Sequence, residues 1–158
     1  MRKLILDNIL EDIDYAIIGI HCSIEDYRLA YLLNQYLNLK LKRKLLDIEY
    51  DDTSSYSIFE WQDEKQLIFW NLVSNTSKIE VNHAADANSL FINQERFTKT
   101  QHLIPEFKNA NFILKISDNP NASIVKRILN KILSIPQVIT AYRIDAYQLK
   151  ITDQLIFN

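Results

Sequence analysis

The stretch ANFILKISDNPNASIVKRILNKILSIPQVITAYRIDA, residues 110–146, decides the fold. Residues 110–117 alternate, with Asn111, Ile113, Lys115 and Ser117 set against Phe112, Leu114 and Ile116. That period of two is a strand. Asp118-Asn119-Pro120-Asn121 is a turn built from residues that bond their own backbone. Over residues 122–134, Ile124, Val125, Ile128, Leu129, Ile132 and Leu133 fall on one side, and Lys126, Arg127, Asn130 and Lys131 on the other. This is an amphipathic helix, and Pro136 ends it. Residues 138–146 then return as a strand. The unit is β-α-β, with a right-handed crossover expected if its strands are parallel.

A second unit begins upstream. Residues 14–22 hold the run Tyr15-Ala16-Ile17-Ile18-Gly19-Ile20, which reads as a central strand covered on both faces. Ser23 offers a helix N-cap, with Asp26 in the first turn, where the helix dipole favours a carboxylate. The helix is expected over residues 24–37, with Leu29, Leu32, Leu33, Tyr36 and Leu37 on one face. Residues 41–50, 56–61, 66–74 and 78–82 read as antiparallel strands, with a hairpin loop at 62–65 and turns at 51–55 and 75–76. Short strands are expected at 3–6 and 89–92, and 98–102 reads as loop. The expected architecture is α+β: a single domain over residues 1–158, a two-layer sandwich with a mostly antiparallel sheet and two main helices on one face.

Composition narrows the chemistry. The chain of 158 residues has one glycine, Gly19, where average usage predicts roughly 11. Dinucleotide loops, phosphate-binding P-loops and nucleophile elbows each need two or more glycines, so those three motifs are excluded. The 14 asparagines are the best available substitutes at left-handed turn positions. Gly19 itself lies inside an apolar strand, which points to a bulge or a close backbone approach, with a helix packed tightly over the strand or a small cavity beside His21 expected there.

Cys22 is the only cysteine, so no intrachain disulfide and no Cys-rich zinc site can form. Residues 1–7 hold too short an apolar run for a secretory signal, and no stretch reaches the length of a membrane span. A cytoplasmic protein with no membrane contact is expected. Net charge is −2, with −4 over residues 1–79 and +2 over 80–158, so nothing global favours nucleic acid. No cofactor and no metal site are expected. His83 and Asp86 are at most half of a metal site.

Three blocks carry a family resemblance. Ile104-Pro105-Glu106 followed by Phe107-Lys108-Asn109 and Ala110-Asn111-Phe112 resembles the motif I-P-E-x-x-x-V-D-Y, which names a bacterial family of uncharacterised small proteins. The I-P-E half matches, and the V-D-Y half departs to Ala-Asn-Phe. Residues 20–31 and 135–142 are similar to the same family. The resemblance implies no activity. Asn111 does not titrate and Phe112 has no hydroxyl, so neither can move a proton. Pro105 holds Ile104 extended.

The residues support three readings. The first is a non-enzymatic interaction or regulatory module with a protein partner and no catalytic residue. Its candidate binding residues are His21, Tyr27, Arg28, Tyr31 and Glu106; Tyr and Arg are common anchors of interfaces. The second is an RNA-associated protein using Lys40, Lys42, Arg43 and Lys44, with Phe59, Trp61, Phe69 and Trp70 as stacking faces. A basic edge strand that resists aggregation has the same pattern. The third is a small enzyme with His21 or Glu106 as general base. Cys22 follows His21 on a strand, so the two point to opposite faces and form no dyad.

Overall fold

A computed structural model describes residues 15–51, 54–81 and 97–145. The elements are β1 (Ala16–Cys22), α1 (Asp26–Leu37), β2 (Lys42–Arg43), β3 (Ile48–Asp51), β4 (Ser54–Tyr56), β5 (Ile58–Asp63), β6 (Ile68–Ser74), β7 (Thr76–Val81), β8 (Phe97–His102), a 3-10 turn (Pro105–Phe107), β9 (Phe112–Ile116), α2 (Ala122–Leu133) and β10 (Val138–Ile144). The expected strands at 3–6 and 89–92, and the pair His83 and Asp86, lie outside the described residues.

Six strands form one sheet in the order β10-β1-β9-β6-β5-β2. Every neighbouring pair is antiparallel. With the two helices this is the α+β architecture the sequence implies. The β9-α2-β10 unit does run parallel at its two ends, but its strands are not adjacent. Both pair with β1, which lies between them. The apolar run of β1 is therefore central, and only His21 among its residues is not fully buried.

Alternate residues of β1 divide the core. Ala16, Ile18, Ile20 and Cys22 pack with Leu29 and Leu33 of α1 and with Val125, Ile128 and Ile132 of α2. The two helices thus share one face. On the back face, Ile17 packs with Ile58, Val73, Ile113 and Ile144, beneath Tyr56, Leu103, Ile104 and Ala110. Among the described residues, two small sheets, β3-β4 and β7-β8, accompany the six-stranded one.

Three local expectations change. The N-cap of α1 is Glu25 rather than Ser23, and Asp26 accepts a bond from Tyr27 N–H. Residues 41–50 do not form one strand: β2 stops at Arg43, and β3 starts at Ile48. Residues 98–102 are strand, not loop, because β8 pairs with β7 across a long connection. By contrast, the cap of α2 follows its sequence, with Asn121 Oδ1 accepting from Ile124 N–H at 2.9 Å.

The turns manage almost without glycine. Asn38, Asp118 and Asn119 have positive φ, as their side chains permit. Leu67 is the exception, with φ 57° in the β5-β6 turn and its side chain mostly in water. A left-handed leucine costs about 1–2 kcal/mol, and glycine gives back part of that gain in chain entropy. Leu67→Gly should therefore raise the unfolding free energy by about 0.5–1 kcal/mol, measured by urea denaturation. A loss of stability would show that Leu67 has a packing role.

Candidate functional site

Two regions collect the residues that could act. The first is a junction at the back of β1. Asn75 bridges β6 and β7 and is fully buried. Its Oδ1 accepts from Ile104 N–H at 2.7 Å, and its Nδ2 donates to the carbonyls of Phe107 at 3.0 Å and Ala110 at 2.8 Å. Its backbone donates to Asn111 O and accepts from Leu103 N–H. Every polar group of this side chain's buried end is used, as a buried amide requires. The segment 103–111 is thereby tied to the sheet. The turn expected at 75–76 is in fact an anchor.

Gly19 faces the same segment. A Cβ built there would lie 3.1 Å from Ala110 Cβ, Ile144 Cδ1 and Tyr142 Cζ. The tight packing expected at this glycine is present, but no helix makes it. It comes from the 103–111 segment and β10, on the face away from the helices. Phe107 and Tyr142 add a tilted ring pair with centroids 6.4 Å apart. Burial pushes the Tyr142 hydroxyl above its ordinary pKa.

His21 closes the junction. Cys22 N–H donates to Asn111 Oδ1 at 3.1 Å, which fixes the amide oxygen. His21 Nδ1 lies 2.7 Å from the same oxygen and must be the donor. The ring is held in the tautomer with its proton on Nδ1. Asn111 thus positions two β1 groups and opens β9, a structural task. Cys22 is buried on the helix face, and desolvation pushes its thiol up, against a smaller opposing effect of a backbone bond at Ile24. A neutral, buried thiol is a poor nucleophile. Glu106 is exposed in the 3-10 turn. Among the described residues no hydrogen bond or ion pair joins it to His21, and neither residue lines the two grooves at the β2 end of the sheet.

The second region is the β2 end of the sheet. β2 is an edge strand, paired with β5 by Lys42 opposite Glu60 and Arg43 opposite Phe59. A short basic strand at an edge resists pairing with other chains, as one reading of the sequence expects. Two grooves lie at this end of the sheet, and β2 lines the smaller. The smaller, about 270 Å³, is lined by Lys40, Lys42, Arg43, Lys44, Glu60, Trp61, Gln62 and Phe69. The larger, about 800 Å³, runs from the end of α1 to the β5-β6 turn over Trp61 and Trp70. They share Lys40, Trp61 and Gln62.

The charges in this region are unequal in availability. Arg43 is paired with Asp47 and lies 5.7 Å from the Phe59 ring centre. Lys44 Nζ is 3.3 Å from Glu60. Among the described residues, Lys40 and Lys42 have no such partner. Beyond Lys44, Leu45 and Leu46 are 101% and 82% exposed. Sequence reading missed these leucines by placing them in a strand. The available signal was that adjacent strand residues cannot both face one core.

Tyr27, Arg28 and Tyr31 lie together on the outer side of α1, away from both grooves. The tyrosines are 62% and 60% exposed, Arg28 pairs with Glu25, and Gln35 donates to the Tyr31 hydroxyl. Phe59 and Trp70 are buried, so of the four expected stacking aromatics only Phe69, 49% exposed, and half-buried Trp61 are accessible. Among the described residues no group of three or more His, Cys, Asp or Glu is placed to hold a metal. No helix among them is long and apolar enough to cross a membrane. Comparison with protein-family models, with curated proteins and with solved structures finds no match to this chain.

Proposed function

We propose that this protein is a non-enzymatic interaction module, and that its partner meets it at the β2 end of the sheet. The observation that supports this most is the exposure of Leu45 and Leu46 next to Lys44 of the smaller groove, where Lys40 and Lys42 have no ion-pair partner among the described residues. Adjacent leucines left in water cost hydration free energy that a partner recovers. A cytoplasmic setting is supported by the lone, buried thiol of Cys22. The likeness to the I-P-E-x-x-x-V-D-Y family rests on the sequence blocks at 104–112, 20–31 and 135–142.

A second contact surface is the α1 face of Tyr27, Arg28 and Tyr31, supported by the exposure of its tyrosines. A general-base role for His21 or Glu106 has less support, since neither residue lines either groove. A photo-crosslinking residue placed at Leu45, at Phe69 or at Tyr27 in growing cells tests the assignment. Adducts at positions 45 and 69 are expected. Adducts at 27 alone would move the site to α1, and none at any position would overturn the reading.

A further inference from the structure

The exposed part of the back face carries a more specific meaning, which rests on the interaction site assigned above. Cross-strand partners share a face. Register therefore puts Lys42, Glu60, Asn71 and Lys115 in one row across four strands, and Gln62 and Phe69 in the next. Phe69 stands in the smaller groove with nearly half of its surface in water. Lys40 and Lys42 line the same groove without carboxylate partners among the described residues. A flat aromatic side chain on an open sheet face, flanked by uncommitted cations, is the combination that holds an unstacked base and its phosphates.

We propose that this groove binds single-stranded nucleic acid, with a base stacked on Phe69 and the adjoining phosphates at Lys40 and Lys42. Lys40, Trp61 and Gln62 line both this groove and the larger one at the β2 edge. Duplex is a poor fit, because its bases are already stacked on one another and cannot lie on Phe69. Glu60 opposes the ligand: it neutralises Lys44 and faces Lys42 across the strands. Binding is therefore modest in affinity and tunable at that carboxylate.

Fluorescence anisotropy with labelled oligouridylate and oligoadenylate, titrated over a range of KCl, tests this. Both single strands should bind at low salt, and the matching duplex should bind weakly. Phe69→Ala should weaken binding roughly 5- to 100-fold, and Phe69→Trp should retain it. Lys40→Ala/Lys42→Ala should lower the slope of log affinity against log salt by about 1.4. Glu60→Gln should tighten binding. These side chains are exposed or half-exposed, and a thermal melt checks that each variant folds.

No oligonucleotide binding at low salt, or binding indifferent to Phe69 and to the two lysines, overturns the proposal. So does binding to vesicles of phosphatidylserine and phosphatidylcholine in place of oligonucleotides, which would assign Leu45, Leu46 and the lysines to a lipid surface. If oligonucleotides fail while crosslinks at positions 45 and 69 recover a protein, the interaction site stands and its ligand class falls. If both experiments fail, both readings fall.

Discussion

Asn75→Ala should destabilise the protein by about 3–4 kcal/mol, enough to unfold much of it near physiological temperature. The truncation leaves Ile104 N–H without its acceptor and Ala110 O without its donor, both at buried residues. Phe107 O loses one bond but keeps another, from Ala110 N–H. Each orphaned buried group costs roughly 1–3 kcal/mol, and the small cavity adds to that. Asn75→Asp should be no better, because a carboxylate cannot donate to two carbonyls and its charge would be buried. Urea unfolding followed by tryptophan fluorescence measures the loss. Hydrogen exchange should show the Ile104 amide opening first. A cost below about 1 kcal/mol would mean that the 103–111 segment is held by its apolar contacts instead.

Gly19→Val should be at least as damaging, and for a steric reason. Even the alanine Cβ meets three atoms at 3.1 Å. Ile144 Cδ1 can swing away, but Ala110 Cβ belongs to the segment that Asn75 locks, and Tyr142 is packed against Phe107. Gly19→Ala should cost about 1–3 kcal/mol, as overpacking of a filled core does. The two further methyl groups of valine should prevent folding. Gly19→Ala combined with Ala110→Gly should recover more than half of the single-mutant loss, since the clash is mutual. Strict additivity of the two losses would place the strain elsewhere.

What could be read in the sequence follows from range. β1, α1, β9, α2 and β10 announce themselves because each shows a strong apolar period within its own residues. Their boundaries shift by a residue or two where caps compete, as at Ser23 and Glu25. β8 was unreadable, since Phe97–His102 has little alternation and its partner is a distant strand. The single glycine marked a close approach correctly, but the approaching group, Ala110, is fixed only by tertiary packing. Asn75 looked like any turn asparagine. Nothing local distinguishes an amide in water from one with three buried partners. At the candidate site, the basic run Lys40–Lys44 was visible, whereas its grouping with Phe69 and the internal neutralisation of Arg43 and Lys44 depend on register and on Asp47 and Glu60.

The position of β1 between β9 and β10 has a kinetic side. An early, isoleucine-rich strand must wait for both of its neighbours, and even its junction contact from His21 to Asn111 spans 90 positions. Closing such distant pairings is slow, and the waiting strand is sticky. During synthesis β1 leaves the ribosome long before β10 exists. In that interval its apolar edges are open to other chains or to a chaperone. Refolding should accordingly be slow for a domain of this size, and its yield should fall as protein concentration rises.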